Sequence, residues 1–353
     1  MAHLEHILRL YDFPCPRELI AQAPASPREN ARLLVYNRKT GEMQEGAFRG
    51  IGSFLPPRSL LVFNETKVIP AKLTLWRITG GMVSLLILGR SGELLRALAD
   101  KKLQVGEQLS LPGGHTLTVD GSDGKEWFLL PTFPPERWMD ACEEIGEMPL
   151  PPYIKETPLT PAEQRREYQS VFARNAGSIA APTASLHFTE RMLGKLQKAG
   201  HDVAFVTLHV HLGTFAPLTE EQWKKGTLHR EEYAIHPGTV QVVEKAKREG
   251  RPIIAVGTTV VRTLESASDQ GGTIVKPSGH TNLFIKEGYR FRLVDGMITN
   301  FHVPKSSLLM LVSAFMGSKG APFGGRSKIL ELYRYAVGKR YRFFSFGDGM
   351  LLL

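Results

Sequence analysis

The fold is best predicted from residues 297–317, which read MITNFHVPKSSLLMLVSAFMG. The first three residues are typical of a strand end, and Asn300–Lys305 form a polar turn. Ser306 or Ser307 then predicts a helix start, because a serine hydroxyl accepts hydrogen bonds from the free amides of a first helical turn. The residues that follow are apolar almost all the way round, which predicts a helix buried on several sides. Gly317 is predicted to end this helix in the left-handed conformation.

The polar turn in this stretch has two interpretations. Asn300, His302 and Lys305 lie between a strand end and a helix N-terminus, where an anionic group or another polar ligand is readily bound. Pro304 keeps the residues before it extended, so that the turn points away from the helix. An ordinary strand-to-helix connection with solvated polar side chains explains the same residues equally well.

The chain around this stretch alternates helices with apolar strands. Such alternation is typical of an α/β domain in which helices cover a sheet. Strands are predicted at residues 33–36, 59–63, 203–210 and 253–259. Helices are predicted at residues 135–146, 189–199, 239–248 and 260–268.

Residues 72–149 have a different pattern, with short apolar runs separated by glycine-containing turns such as Gly80-Gly81 and Gly113-Gly114. Regularly spaced short strands of this kind are typical of a small antiparallel barrel. The proline-rich residues 149–153 are stiff and suit a return linker. The sequence therefore predicts an inserted β-barrel domain at 72–149. Residues 1–71 and 150–353 are predicted to form one discontinuous α/β domain.

Composition limits the classes of function. The 353 residues include 44 Lys and Arg against 35 Asp and Glu, a net charge of +9. A basic chain is suited to polyanions such as nucleic acid, although charge does not determine fold. The two cysteines, Cys15 and Cys142, have no pairing pattern, which favours a reducing compartment. The sequence contains neither an apolar run long enough to span a bilayer nor a signal-peptide pattern, so we expect a soluble cytoplasmic protein.

Several polar side chains occur where apolar strands stop. In a covered sheet these strand ends meet at one edge, which would bring histidines, an arginine and carboxylates into one acid–base pocket. Taken singly, each histidine is equally explained as a hydrogen-bonded structural residue. The residues in question are His187, His209, His211, Thr258, Thr259, Arg262, His302, Lys305 and Asp348.

Two narrower sites are also consistent with the spacing. His209 and His211 share one face of a strand and could bind zinc with His229 or Glu231, although the spacing does not complete a ligand set. Gly257-Thr258-Thr259 lacks the glycines and lysine of a phosphate-binding loop. A carboxylate held by Thr258 and Arg262 at a helix N-terminus fits that segment as well. No serine or cysteine nucleophile motif is present.

Longer motifs occur in a fixed order along the chain. They are LLV (33–35), VFNETKVIPAK (62–72), PLPPYI (149–154), AAPTASLHF (180–188), TLHV (207–210), LGTF (212–215), GTTVVRTLE (257–265) and YRFFSFGD (341–348). In this order the chain resembles the S-adenosylmethionine:tRNA ribosyltransferase-isomerase family of queuosine biosynthesis. The resemblance covers nearly the whole length. It implies an α/β domain with an inserted β-barrel, in agreement with the pattern of strands and helices.

The resemblance implies a specific reaction. The family transfers and isomerises the ribosyl part of S-adenosylmethionine onto 7-aminomethyl-7-deazaguanine at the wobble position of a tRNA with a GUN anticodon. The product is epoxyqueuosine, with release of adenine and methionine. The resemblance also implies that S-adenosylmethionine is a substrate and that no metal or redox cofactor is needed. We expect a monomer that does not bind a membrane, although the sequence does not determine the oligomeric state.

The chemistry of this reaction requires several proton transfers. The sulfonium acidifies the adjacent C5′ protons, so a positioned base can form an ylide. Adenine leaves readily only when a ring nitrogen is protonated, and the aminomethyl group must lose a proton before it attacks. Histidine suits such steps near neutral pH.

The resemblance and the strand-end positions together suggest roles for individual residues. Proton transfer or ribose binding is expected of His187, His209, Glu231 and His302. Binding of S-adenosylmethionine is expected of Asn64, Thr183, Thr258, Arg262, Asn300, Lys305 and Asp348, with Thr258, Arg262 and Lys305 at the methionyl carboxylate and Asp348 at the ammonium. Contacts to tRNA phosphates are expected of Arg32, Lys67, Arg165 and Arg166.

The chain departs from the family pattern at a few positions. His211 and Ser185 stand where the family has glycine, and Thr227 stands where it has the first of two histidines. Ala216 replaces a basic residue, and Lys286-Glu287-Gly288 replaces Tyr-Pro-Gly. These departures are also consistent with a sister enzyme that has a different RNA or acceptor. Two further alternatives stay open: an enzyme that cleaves S-adenosylmethionine or a nucleoside with a small-molecule acceptor, and a non-catalytic RNA-binding protein.

Overall fold

The computed structural model describes residues 2–211, 217–318 and 325–353. Its strands, in chain order, are β1 (Arg32–Tyr36), β2 (Met43–Ala47), β3 (Leu60–Asn64), β4 (Thr66–Val68), β5 (Lys72–Arg77), β6 (Met82–Ser91), β7 (Leu94–Ala99), β8 (Gln108–Ser110), β9 (Thr116–Asp123), β10 (Glu126–Pro131), β11 (Asn175–Ser178), β12 (Asp202–Leu208), β13 (Thr227–Ile235), β14 (Ile253–Val256), β15 (Ser278–Leu283), β16 (Gly296–Asn300) and β17 (Gly349–Leu352). Its α-helices are α1 (Ala2–Arg9), α2 (Trp138–Ile145), α3 (Pro161–Glu167), α4 (Glu190–Lys198), α5 (Glu220–Lys225), α6 (Pro237–Arg248), α7 (Thr258–Ala267), α8 (Ser307–Met316) and α9 (Gly325–Gly338).

A nine-stranded sheet forms the centre of the α/β part, in the order β15-β13-β12-β3-β14-β16-β17-β1-β2. The four middle strands, β12, β3, β14 and β16, are mutually parallel, with Val203 beside Leu61 and Val256 beside Ile298. The carboxyl ends of these four strands therefore meet at one edge of the sheet. Open α/β sheets bind their ligands at this edge.

Apolar residues cover both faces of the sheet. Along β3, Leu60 and Val62 join one core with helices α6, α7, α8 and α9. Leu61 and Phe63 point the other way, into a second core that includes Met192 of α4. This alternation follows from the period of two along a strand. The predicted covered α/β sheet is confirmed.

Six strands form a closed antiparallel barrel in the order β10-β7-β6-β5-β8-β9. Alternate residues of β6, namely Val83, Leu85 and Ile87, fill its interior. The predicted small antiparallel barrel is confirmed, and it lies between β4 and β11 in the chain. Its assignment as a separate domain with limits at 72 and 149 stays a prediction.

Charge is divided unevenly between the two parts. Residues 72–149 contain eight Lys and Arg against eleven Asp and Glu. The rest of the chain contains 36 Lys and Arg against 24 Asp and Glu. The positive charge of the protein therefore belongs to the α/β part, and the barrel part is slightly acidic.

Residues 297–317 fold largely as predicted. Strand β16 extends through Asn300, and the Ser306 hydroxyl accepts a hydrogen bond from the Leu309 amide at 3.2 Å, which caps α8. Residues 309–316 are all buried. Gly317 ends α8 as predicted, but the predicted left-handed conformation is wrong, because its φ is −90°. A Cβ there would lie 3.2 Å from the Cα of Gly325, so close contact with α9 favours glycine.

Two smaller details also differ from the sequence prediction. Helix α7 begins at Thr258, so Thr258 and Thr259 form its first turn instead of a preceding loop. The positive φ near α8 falls on Lys305, at 58°, before the helix begins. Within the described ranges, every helix is too short or too polar to cross a membrane.

Candidate functional site

A pocket opens at the carboxyl edge of the parallel strands. Its empty volume is about 590 Å³, including the part open to solvent. The lining residues are Tyr153, Ala181–Ala184, Val210, Gly257–Thr259, Thr299–Val303, Leu308, Phe344 and Ser345.

Two strand ends form the floor of this pocket. Strand β14 ends at Val256, and Gly257, with φ of 96°, turns the chain into α7. A residue with a side chain rarely adopts such a backbone, so this sharp turn favours glycine. The turn places Thr258 and Thr259, with hydroxyl groups, at the pocket wall. Strand β16 ends beside it with Thr299 and Asn300.

Asn300 connects three elements at the pocket wall. Its Nδ2 donates to the Phe344 carbonyl oxygen at 3.2 Å and to His187 Nε2 at 3.2 Å. The Thr183 hydroxyl donates to its Oδ1 at 3.0 Å. A carbonyl can only accept, so the atom facing Phe344 must be the amide nitrogen. The orientation of the Asn300 side chain is thereby determined by its surroundings.

His187 lies behind Asn300, outside the pocket lining. It is 4% exposed, and its ring stacks on Phe48 with centroids 4.0 Å apart. Because Nε2 accepts from Asn300, neutral His187 carries its proton on Nδ1. Burial, reinforced by the positive charges of Arg342 and Arg28, lowers the pKa of His187 to about 3. The imidazole therefore supports the pocket wall in its neutral form.

His302 is the predicted catalytic residue that lines the pocket directly. Its Nε2 lies 2.8 Å from the Thr299 hydroxyl, and its backbone amide donates to the Tyr333 hydroxyl at 2.9 Å. Burial lowers the pKa of His302 to about 4. The side chain is therefore neutral at neutral pH and able to accept a proton from a bound molecule.

The structure adds lining residues that sequence reasoning missed. Phe344 has a φ of 70°, a backbone conformation that is strained for a bulky residue and is often found at functional sites. Its ring lies 4.9 Å from that of Tyr153, whose hydroxyl is 2.6 Å from Ser345 Oγ. These residues come from the PLPPYI and YRFFSFGD motifs, so the motifs themselves were the available signal.

Glu231 and Arg262 form a buried ion pair instead of lining the pocket. They are 2% and 4% exposed, and the guanidinium also donates to the Leu283 carbonyl at 3.2 Å. The backbone amide of His211 donates to the Glu231 carboxylate at 3.2 Å. Burial lowers the pKa of His211, partly offset by Glu231. The imidazole at position 211 is thus half-buried beside this ion pair.

His209 precedes Val210, a lining residue, in the chain but does not itself line the pocket. Its Nδ1 is 2.9 Å from the hydroxyl of Thr66, a fully buried residue. Burial lowers the pKa of His209, which keeps the imidazole neutral near pH 7. Asn64 is also buried. It bonds to both the amide and the carbonyl of Leu208 at 3.0 Å and to Thr259 Oγ1 at 3.3 Å.

Four predicted ligands of S-adenosylmethionine lie outside the lining of this pocket: the buried Asn64 and Arg262 described above, and Lys305 and Asp348. Lys305 forms an ion pair with Asp12 at 2.9 Å and is half exposed. Asp348 is 1% exposed and accepts hydrogen bonds from the backbone amides of Arg32 and Arg342, each at 2.8 Å. The structure therefore brings together Thr183, Thr258, Asn300 and His302, with His187 behind them.

All four predicted RNA contacts have partners within the chain. Arg32 bonds to Glu45 and lies 3.6 Å from the Tyr341 ring centroid. Lys67 and Arg165 both pair with Glu143 of α2, at 3.7 and 3.1 Å. Arg166 is 67% exposed and pairs with the adjacent Glu167.

The structure also shows where other residues named from the sequence lie. Within the described ranges, no three His, Cys, Asp or Glu side chains lie close enough together to hold a metal ion. The buried Ser185 hydroxyl has no hydrogen-bond partner among the described residues. Thr227 begins β13, and Glu287 is half exposed. The LGTF motif from 212 and the departure at Ala216 lie outside the described residues.

Comparisons with known proteins agree with the motifs. A family model described as "Queuosine biosynthesis protein" matches residues 8–352. The S-adenosylmethionine:tRNA ribosyltransferase-isomerase of Rubrobacter xylanophilus is 46% identical over 347 residues, covering 97% of this chain and 96% of that protein. The protein of the same name from Moorella thermoacetica is 43% identical over 353 residues, covering 97% and 98%.

A solved structure is also similar. The crystal structure of S-adenosylmethionine tRNA ribosyltransferase from Thermotoga maritima aligns with a TM-score of 0.53 at 32% identity, covering 98% of this chain and 100% of that one. The resemblance found in the sequence motifs is thus confirmed. The chain belongs to the queuosine biosynthesis protein family.

Proposed function

We propose that this protein is an S-adenosylmethionine:tRNA ribosyltransferase-isomerase. It transfers and isomerises the ribosyl moiety of S-adenosylmethionine onto 7-aminomethyl-7-deazaguanine at the tRNA wobble position, releasing adenine and methionine. The names of its full-length relatives support this reaction. The observation that carries the proposal is the pocket at the carboxyl edge of the sheet, where neutral His302 lies among the family motifs.

The composition of the pocket suits a sulfonium substrate that must lose a proton. The side chains that line it are uncharged, and those of Tyr153 and Phe344 are aromatic. A cation without a counter-charge in such a site is disfavoured relative to a species of zero net charge. Loss of a C5′ proton converts the sulfonium into a net-neutral ylide. The pocket therefore favours the first chemical step.

His302 can serve both as base and as acid in this scheme. Its low pKa leaves an unprotonated imidazole that is able to accept the C5′ proton. Once protonated, an imidazolium of such a low pKa is a strong acid. It is then suited to deliver the proton to a ring nitrogen of the departing adenine.

Other groups are assigned supporting roles. Thr183, Thr258 and Asn300 bind polar groups of S-adenosylmethionine in the pocket. Glu231 and Arg262 act as a buried pair beside it, while His187 and Asn64 hold its wall. Lys305 and Asp348 remain candidates for the methionyl group only if binding moves them from their present partners.

The partners and the setting are part of the proposal. The RNA is a tRNA with a GUN anticodon, and the positive charge of the α/β part attracts its phosphates. Arg166 is assigned a phosphate contact first, because it is the most exposed of Arg32, Lys67, Arg165 and Arg166. The enzyme works as a cytoplasmic monomer. The proton transfers described need no metal or redox cofactor, and S-adenosylmethionine is consumed as a substrate.

One assay tests this proposal against its alternatives. The protein is incubated with S-adenosylmethionine and an anticodon stem-loop that carries the aminomethyl base, and adenine release is measured. Release that depends on the RNA is expected. Release without RNA would indicate an enzyme with a small-molecule acceptor, and tight RNA binding without release would indicate a non-catalytic RNA-binding protein.

A further inference from the structure

A chain of hydrogen bonds leads from the backbone to the imidazole of His209. The Val210 amide donates to Ser178 Oγ at 2.8 Å, and Ser178 Oγ lies 2.7 Å from Thr66 Oγ1. Thr66 Oγ1 in turn lies 2.9 Å from His209 Nδ1. Ser178 and Thr66 are both fully buried. Buried hydroxyl groups need partners for their hydrogens, so the direction of each bond can be deduced.

The Val210 amide can only donate a hydrogen bond. Ser178 Oγ accepts from it, and Thr66 Oγ1 is the partner within reach for the hydrogen of Ser178. Thr66 Oγ1 then accepts from Ser178 and has its own hydrogen to place. Two acceptors are near: His209 Nδ1 at 2.9 Å and the Asn175 carbonyl at 3.4 Å. The shorter contact favours donation to His209.

The position of the ring is restricted as well. Gly177 has a φ of 151°, and a Cβ there would lie 2.8 Å from both Nδ1 and Cε1 of His209. The imidazole therefore packs against bare backbone. The His209 amide also donates to the Glu232 carbonyl at 2.9 Å. The ring cannot readily turn away from Thr66 to exchange its two nitrogens.

We propose that Thr66 is a positioning residue that selects the tautomer of His209. Because Nδ1 accepts from Thr66, neutral His209 carries its hydrogen on Nε2, on the far side of the ring. It is therefore a hydrogen-bond donor there and cannot be the base at that atom. The consequence for the reaction rests on the proposed function: His302 is left as the group that accepts the C5′ proton, and His209 supplies an N–H group.

Nitrogen NMR tests the tautomer without using activity. In protein with ¹⁵N-labelled histidine, long-range proton–nitrogen spectra distinguish the two neutral tautomers, and His209→Gln identifies the signals. We expect the Nε2–H form in the native protein and in Thr66→Ser. In Thr66→Val, which keeps the shape but has no hydroxyl, we expect a mixture of tautomers. An Nδ1–H form in the native protein, or no change in Thr66→Val, would overturn the proposal.

Turnover gives a second, separable readout. Thr66→Val should lower kcat about tenfold or more, as is common when the partner that orients a histidine is removed, with KM for S-adenosylmethionine nearly unchanged. Thr66→Ser should restore most of the rate. If the NMR result holds but turnover is unaffected, His209 has no part in the reaction and the tautomer assignment stands. If the protein releases no adenine at all, the proposed function fails independently of the spectra.

Discussion

At the scale of single residues, the pocket shows how burial sets protonation. His187 and His302 have ordinary hydrogen-bond partners, yet their pKa values lie near 3 and 4 because burial disfavours the charged form. In both, the neutral ring is the working state. A histidine with an ordinary pKa of about 6.5 is partly protonated at pH 7, whereas these two are neutral.

Replacement of His302 by alanine should reduce turnover strongly. A general acid–base group typically contributes about 10²–10⁴-fold, so we expect a loss within that range in RNA-dependent adenine release. The protein should stay folded, because the side chain is partly exposed at the pocket. Thr299→Val, which removes the hydrogen bond to Nε2 but keeps the imidazole, should lose less activity than His302→Ala. Near-normal turnover in His302→Ala would remove this residue from the mechanism.

The same low pKa values predict a dependence of stability on pH. In the unfolded chain a histidine has a pKa near 6.5, so between pH 6.5 and about 4 the unfolded state binds more protons than the folded state. Stability should therefore fall as the pH is lowered through this window, by up to about 1.4 kcal/mol per pH unit for each histidine.

Urea unfolding at several pH values measures this slope. The variant His302→Gln, which cannot be protonated there, should show a shallower slope than the native protein between pH 6 and 4.5. Equal slopes in the two proteins would contradict the lowered pKa of His302.

Residue pairing is what the sequence could not predict. Asp348 follows an apolar segment, which is a position typical of ligand-binding residues. Its carboxylate instead accepts hydrogen bonds from the backbone amides of Arg32 and Arg342. Glu231 and Arg262 are 31 positions apart and meet in a buried pair. Such partners are set by the tertiary fold. Phe344 was missed for a related reason, since nothing in an aromatic residue indicates a positive φ.

At the scale of elements, the ends of strands and helices explain why the site was partly predictable. Buried strands are apolar runs, so the polar residue that stops each run is visible in the sequence. Asn300 and Thr258 were found in this way, and both line the pocket. The capping serine of α8 was visible for the same reason. The side-chain connections that hold neighbouring elements together could not be predicted from the sequence.

Glu265 is one such connection. It lies in α7, and its carboxylate accepts from the backbone amides of Arg292, Leu293 and Val294 at 2.9 to 3.2 Å. Those residues lead into β16. The carboxylate therefore joins, away from the pocket, the two elements whose other ends carry Thr258 and Asn300.

Replacement of Glu265 by alanine should destabilise the protein. Three amides would lose their acceptor, and a buried unpaired polar group costs about 1–3 kcal/mol, so we expect a loss of at least about 3 kcal/mol in the free energy of unfolding. Glu287→Ala is the control, since Glu287 is half exposed and lies 3.9 Å from Arg326. If both variants lose the same small amount in urea unfolding, Glu265 does not have this role.

Three glycines in and beside α8 and α9 differ in the space available for a Cβ. Their replacement by alanine should therefore destabilise the protein to different degrees. A Cβ at Gly325 would overlap the Ser313 carbonyl oxygen, and one at Gly317 would lie 3.2 Å from Gly325 Cα. A Cβ at Gly338, at the other end of α9, would meet nothing within 4 Å. Gly325→Ala should therefore cost about 1–3 kcal/mol and Gly317→Ala less. Gly338→Ala should be neutral or stabilising by up to about 1 kcal/mol. Thermal unfolding of the three variants measures the order, and equal melting temperatures would contradict it.

At the scale of the whole molecule, the barrel is inserted between β4 and β11, two short strands that pair in parallel. Ion pairs from Glu143 of α2 to Arg165 and Lys67 connect the barrel part to the α/β part. The regular spacing of the barrel strands made this architecture predictable. Sequence alone gave no means of telling which basic residues connect the parts and which face solvent.

Adjacent arginines provide a test of that distinction. Arg166→Ala should weaken RNA binding and reduce the log–log salt slope by about 0.7–0.9, as expected for one lost phosphate contact. Arg165→Ala should instead lower the melting temperature, because its guanidinium bonds to Glu143 and to the Gly146 carbonyl at 2.6 Å. RNA binding titrated at several salt concentrations checks the first, and thermal unfolding checks the second. If Arg165→Ala weakened RNA binding and Arg166→Ala lowered the melting temperature, the two assigned roles would be reversed.

The uneven distribution of charge gives the protein an electric polarity. A polyanion that comes near is drawn toward the basic part and pushed from the acidic one, so it experiences a torque as well as an attraction. The RNA is therefore turned during its approach, before any surface meets. Collisions become productive more often than random tumbling would allow, and added salt would remove that advantage by shortening the reach of both fields.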